Sequence, residues 1–142
     1  VQNISKEMGE MQMRVNPTPT QPAKKRVLIV EDNPDLLDIF RLAFNAGAFD
    51  VYLAKDGEAA IEQMQALQPD VLVLDINLPK LTGLDVLDYI KKQQQANANI
   101  KVIVVTGNSV AIQDERARGA DLLLMKPVNI RDLLTFTRRL TT

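Results

Sequence analysis

Five short apolar runs constrain this chain more than any other feature: Val27–Val30, Val51–Ala54, Val71–Leu74, Ile100–Val105 and Leu122–Met125. Most are rich in Val, Ile or Leu, the pattern of strands buried on both faces of a parallel sheet. Amphipathic segments of helical length separate them. Leu36, Phe40, Ala43 and Phe44 line one face of the first segment, Ile61, Met64 and Leu67 the second, and Leu84, Leu87 and Ile90 the third. A short fourth helix is expected from about Ser109 to Arg118, and a fifth carries Ile130, Leu133, Leu134 and Thr137. Asn33-Pro34 reads as a cap followed by Pro at the first helical position, and Asp56-Gly57-Glu58 and Asn129 mark two further helix starts. Five strand–helix units with short connections predict an α/β fold, an open doubly wound parallel sheet with helices on both faces.

Composition narrows the chemistry. With 142 residues, 46% of them hydrophobic, a core is affordable without disulfides. The absence of Cys excludes disulfides, thiolate metal sites and Cys nucleophiles. The absence of His removes imidazole bases and phospho-histidine chemistry from this chain. Seventeen basic and eighteen acidic residues nearly cancel, which argues against direct nucleic-acid binding. No apolar run approaches the ~20 residues of a membrane span. The first residue is Val and nothing near it reads as a signal peptide, so a cytoplasmic fragment or processed chain is expected.

The charge balance changes near residue 25. Residues 1–25 carry net +2 and residues 26–142 net −3. We expect an amino-terminal extension with a Pro-rich linker over 1–25 and one globular domain over 26–142. In the extension, Ile4, Met8, Met11 and Val15 follow a 4-3-4 spacing that places them on one helical face. Asn16-Pro17-Thr18-Pro19-Thr20-Gln21-Pro22 then reads as extended linker. The end of an upstream helix and a plain tail are both compatible with this pattern.

Open α/β sheets bind ligands beyond the carboxyl ends of their strands. There the sequence offers Glu31-Asp32 after the first run, Lys55-Asp56 after the second and Asp75 after the third. Thr106 follows the fourth and Lys126-Pro127 the fifth. If the first, third, fourth and fifth strands are neighbours, Glu31, Asp32, Asp75, Thr106 and Lys126 meet in one crevice. Taken singly, each is an ordinary cap or surface residue. Together they suit phosphoryl transfer with a divalent cation. Three carboxylates repel one another, and a dication with Lys126 brings their charge to zero. Oxygen ligands suit Mg²⁺. Asp75 is then a plausible nucleophile toward phosphorus, with Lys126 and a hydroxyl near the moving group.

The segments Val27–Asn33, Asp75–Gly83, Thr106-Gly107 and Gly119–Pro127 resemble the receiver domain of two-component response regulators. The resemblance covers about residues 26–140. It implies a flavodoxin-like sheet of order 2-1-3-4-5, with Asp75 as phospho-acceptor. Asp32, Asp75 and the backbone carbonyl of Asn77 would hold Mg²⁺ (Mn²⁺ as a substitute), and Glu31 would hold a metal-bound water. Thr106 and Lys126 would contact the phosphoryl group, and the Lys126–Pro127 bond would be cis. Lys126 would then matter more to signalling than to the resting fold. The partner implied is a histidine kinase or a phosphotransfer protein carrying phospho-histidine, and a homodimer is left open. A receiver is not an enzyme acting on a separate substrate; it catalyses only its own phosphorylation and dephosphorylation.

Three positions depart from the family pattern. Leu123 stands where an aromatic is usual. The stretch from Thr106 to Lys126 is about half a helical turn short. Thr82 replaces a common acid. Leu123 is small enough to hide in the core as a weak switch, so Gly107–Val110 and the short fourth helix are expected to respond instead. There Gly107 would take unusual dihedrals, with Asn108 and Ser109 as caps. A Mg²⁺-dependent aspartyl-phosphate phosphatase would want an Asp where Asn77 stands, and a cap domain besides. A pseudo-receiver that is never phosphorylated would have lost an acid, Thr106 or Lys126. A nucleotide-binding module would want a Gly-rich loop after the first strand.

Overall fold

The computed structural model describes residues 23–93 and 99–142. The extension up to residue 22, with its apolar stripe and most of its linker, lies outside the described residues. Five strands form one parallel sheet: β1 (Arg26–Val30), β2 (Asp50–Ala54), β3 (Val71–Leu74), β4 (Lys101–Thr106) and β5 (Leu122–Met125). Their order is β2-β1-β3-β4-β5, as the resemblance implies. Among the described residues four α-helices accompany them: α1 (Pro34–Ala46), α2 (Gly57–Leu67), α3 (Gly83–Lys92) and α4 (Ile130–Thr141).

Side-chain alternation along the strands builds two cores. Leu28, Val30, Leu72, Leu74, Val102 and Val104 face α2 and α3. Val27, Ile29, Val71, Val73, Ile103 and Val105 face Phe40 and Phe44 of α1 and Leu133 of α4. The helices begin where the caps are. Asn33 accepts from the amides of Asp35 and Leu36, Asp56 from Ala59 and Asn129 from Asp132. Thr82, the position where an acid is common, forms a reciprocal capping box with Asp85 at the start of α3. Thr137 is wholly buried in α4, and its hydroxyl donates back to the Leu133 carbonyl.

Two expectations fail at one edge. The fourth helix expected over 109–118 is two 3-10 turns, Ala111–Gln113 and Glu115–Gly119. Asp114 interrupts it: its backbone is extended (φ −62°, ψ 138°) and its side chain accepts from the Arg116 amide, capping a new turn. Short polar side chains that bond nearby backbone groups compete with helix continuation in this way. The second failure is β5, which was expected to be buried on both faces. Leu122 and Leu124 pack toward α1 and α4, whereas Leu123 and Met125 remain exposed. An edge strand whose opposite face lost its helix has cover on one side only.

Candidate functional site

Glu31 and Asp75 end neighbouring strands. Val30 pairs with Leu74 in the β1–β3 register, so the residues that follow project from adjacent points of the sheet's carboxyl edge. The Asp75 amide donates to the Val30 carbonyl at 3.0 Å, and the Glu31 amide to the Ala54 carbonyl at 3.1 Å. Glycine completes the cradle. A Cβ on Gly83 would come within 2.3 Å of the Asp75 carbonyl oxygen, so the start of α3 can seat against Asp75 only without a side chain there. The Gly83 amide donates to the Ile76 carbonyl at 2.8 Å, locking that approach.

The acids converge. One carboxylate oxygen from each of Glu31, Asp32 and Asp75 lies within 4.8 Å of the others. Glu31 and Asp75 are buried and Asp32 is exposed. Lys126 reaches in from the end of β5, its Nζ donating to Glu31 Oε1 at 2.6 Å and to Asp75 Oδ2 at 2.9 Å. The other Asp75 oxygen accepts from the Asn77 amide at 3.2 Å, and Glu31 Oε2 accepts from the Asn33 amide at 3.2 Å. Burial pushes the Glu31 carboxyl above its ordinary value, helped by the Asp75 charge and opposed by Lys126. Burial alone would lower the Lys126 ammonium. Its bonds to Glu31 and Asp75 outweigh that and hold it above its ordinary value. Two buried carboxylates thus share the Lys126 ammonium as their common cation.

Thr106 ends β4 and is fully buried. Its carbonyl accepts from the Lys126 amide at 2.9 Å, and its hydroxyl accepts from the Asn108 amide at 3.2 Å. The Lys126–Pro127 bond is cis, as expected. Asn77 is exposed, and among the described residues no hydrogen bond ends on its backbone carbonyl. The sheet thus brings together Glu31, Asp32, Asp75 and Lys126, with Asn77 on the loop after β3 and Thr106 at the end of β4. Lys55 and Asp56 stand apart beyond β2, where Asp56 caps α2 and pairs with Lys80 at 3.6 Å.

Sequence reasoning missed one member. Asn108 Nδ2 donates to Asn77 Oδ1 at 3.0 Å, tying the loop after β4 to the loop after β3. Asn108 Oδ1 accepts from the Ala111 amide at 2.9 Å, the capping role expected of it. A polar residue two positions beyond a strand-end Thr, on the neighbouring strand's loop, was the available signal. Gly107 does not take the unusual dihedrals expected, since no described glycine has a positive φ.

The sequence matches the response regulator receiver domain family over residues 27–138. This chain belongs to that family. It is 31% identical over 108 residues to the polar-differentiation response regulator DivK of Brucella ovis, covering 75% of this chain and 87% of that protein. It is 32% identical over 118 residues to the transcriptional regulatory protein TrcR of Mycobacterium tuberculosis, covering 81% of this chain and 44% of that regulator. The chain thus spans about half the length of TrcR and of the similar regulator MtrA of Mycolicibacterium smegmatis. Among solved structures, a CheY-like receiver domain protein from Methanospirillum hungatei superposes with a TM-score of 0.74 at 29% identity, covering 83% of this chain and 94% of that one. The response regulator TrrA of Thermotoga maritima, solved in complex with Mg²⁺-BeF, also gives 0.74, at 27% identity over 82% of this chain and 98% of that one. The receiver domain is a signalling module of two-component systems, and no described helix is long and apolar enough to cross a membrane.

Proposed function

We propose that this receiver domain accepts a phosphoryl group on Asp75 in a Mg²⁺-dependent reaction and changes its partner interactions in response. One observation carries the reading: Asp75 ends the central strand inside the acid cluster, with its two oxygens held by the Asn77 amide and Lys126. Those bonds orient the carboxylate, and orientation is most of what phosphoryl transfer asks of a protein. Because the chain has no His, the donor is a phospho-histidine on a histidine kinase or phosphotransfer protein, or a small acyl phosphate.

An Asp75 oxygen forms the new P–O bond as the P–N bond of phospho-histidine breaks, and the imidazole leaves with the bonding pair. Asp32, Asp75 and the Asn77 carbonyl are the groups that would hold Mg²⁺, with Glu31 behind a bound water. The donor set fits: every candidate atom is oxygen, and three carboxylates with one ammonium leave two negative charges uncompensated. Bound there, Mg²⁺ supplies charge neutralisation for the incoming phosphoryl oxygens. In this reading Lys126 passes from Asp75 to a phosphoryl oxygen, and the Thr106 hydroxyl donates to another. We further propose that the domain acts in the cytoplasm, with residues 1–25 as extension and linker.

Incubation with acetyl phosphate and Mg²⁺, followed by intact-protein mass spectrometry, tests this. One labile adduct is expected, absent without Mg²⁺ and absent in Asp75→Asn. An adduct that persists in that variant overturns the assignment.

A further inference from the structure

The loop between Asp75 and α3 is closed at its base. The Ile76 carbonyl accepts from the Leu78 amide at 3.0 Å and from the Gly83 amide at 2.8 Å. Within that loop the Asn77 amide donates to Asp75 Oδ1 at 3.2 Å, the bond that fixes one oxygen of the candidate acceptor. The tip of the loop rests on another element. A Cβ on Gly57, the first residue of α2, would overlap the Leu81 backbone carbonyl, so the tip seats directly on the β2–α2 turn. Lys80, beside Leu81, reaches both acids that flank Gly57. Its Nζ lies 3.6 Å from Asp56 Oδ2 and 3.6 Å from Glu58 Oε2.

Lys80 also carries a backbone cost. Its φ is 63°, in the left-handed region that a residue with a Cβ avoids. Such a conformation persists where the surrounding contacts over-determine it. Here those contacts are the two carboxylates and the Gly57 seat. The Asp56 carboxylate is itself held in place, since its other oxygen caps α2 by accepting from the Ala59 amide at 2.8 Å. The turn after β2 supplies no member of the acid cluster, yet it bears on the loop that holds Asp75.

We propose that Lys80 is a positioning residue for Asp75: clamped to Asp56 and Glu58 over Gly57, it holds the loop in the conformation from which the Asn77 amide orients the acceptor carboxylate. The inference rests on the proposed function for the reaction served, and on the geometry alone for the clamp. Lys80 acts through the Asn77 amide, not on the reacting atoms.

Three variants of the full chain test this. Lys80→Ala removes the clamp and keeps the left-handed cost. Asp56→Asn combined with Glu58→Gln removes it from the other side, while Asn still caps α2. Lys80→Arg keeps the charge and the reach. In Mg²⁺-free buffer, amide hydrogen exchange at Asn77, Leu78 and Gly83 should rise about two- to fivefold in the first two, the range expected for losing an exposed pair, and stay near the original in Lys80→Arg. With Mg²⁺ and acetyl phosphate, both clamp-breaking variants should label Asp75 more slowly by a similar factor. They change the net charge in opposite directions. Slowing in one with acceleration in the other would therefore be a field effect on the anionic donor and would overturn the proposal. Unchanged exchange at the three amides overturns it too, as does unchanged labelling, or slowing that Lys80→Arg shares. An original chain that takes no phosphoryl group refutes the proposed function instead, and the exchange ratios then decide the clamp by themselves.

Discussion

The Lys126 ammonium lies 2.9 Å from Oδ2 of Asp75, so the resting receiver already holds its candidate acceptor against a fixed positive charge. The same ammonium is 2.6 Å from Glu31, which is 1% exposed. Removing it leaves two buried carboxylates without their cation, and breaking a buried pair costs more than the pair is worth. Lys126→Ala should lose about 1–3 kcal/mol of stability in metal-free buffer, below the fully buried range because Lys126 keeps some contact with water. Mg²⁺ should restore part of the loss. Urea melts with and without Mg²⁺ measure both. The variant should also fail to show the beryllofluoride-linked change in amide shifts, and a full change would remove Lys126 from the switching role.

The titration of Glu31 and Lys126 gives opposite pH trends. Glu31 is raised above 4.5, so between 4.5 and its raised value the folded state binds more protons than the unfolded chain. Its contribution therefore falls as pH rises through that window. Glu31→Gln keeps an acceptor for Lys126 and removes the buried charge. Its advantage over the original residue should grow as pH rises from 4.5 through the raised value of Glu31, then level off. Lys126 is raised above 10.5, so its contribution is complete below 10.5 and is lost as pH rises through its folded value. Denaturant melts across pH check both trends. A Glu31→Gln variant less stable than the original at pH 7 would show that charge pairing, not burial, governs this position.

Gly83 should be intolerant in a way that reaches the site. Its missing side chain would overlap the Asp75 carbonyl at 2.3 Å, a contact with backbone that no rotamer relieves. Gly83→Ala should cost more than 2 kcal/mol despite better helix propensity, and should weaken Mg²⁺ binding by displacing Asp75. Thermal melts and calorimetric Mg²⁺ titration read the two effects. Stabilisation, as propensity alone would give, would mean that α3 can retreat freely.

What the sequence showed and what it hid have physical reasons. Strand ends and caps are local: Asn33-Pro34, Asp56 and Asn129 act within three residues of themselves, and Glu31, Asp75 and Lys126 follow apolar runs that define their own ends. Parallel topology then brings these ends together almost without further information. The Asn108–Asn77 bond was not legible because 31 residues separate its partners and only loop conformation joins them. The broken fourth helix was missed for the opposite reason. Asp114 acts locally, but Val110, Ala111, Ile112 and Ala117 still read as an amphipathic face until its side chain is seen to start a second turn. The exposure of Leu123 followed from that break.

The response to phosphorylation should concentrate where packing is weakest. Leu123 was expected to lie in the core, but it is an exposed edge side chain and cannot act as a buried switch. Residues 107–119 hang between Thr106 and β5 on 3-10 turns, whose hydrogen-bond geometry is poorer than that of an α-helix. They are tied down by the Asn108 bond to Asn77, by Arg116 at 3.4 Å from Asp85, and by Ala117 in the core. A phosphoryl group on Asp75 adds a charge of about −1.5 to −2 at the carboxyl edge of the sheet, the edge at which Thr106 ends β4. Turning the Thr106 hydroxyl toward the charge breaks its bond from the Asn108 amide, and with it the start of the first turn. Amide hydrogen exchange with and without beryllofluoride and Mg²⁺ should change most over 107–119, with β4 and α4 little affected. A quiet 107–119 segment, with changes centred on β5, would place the relay in the strand instead.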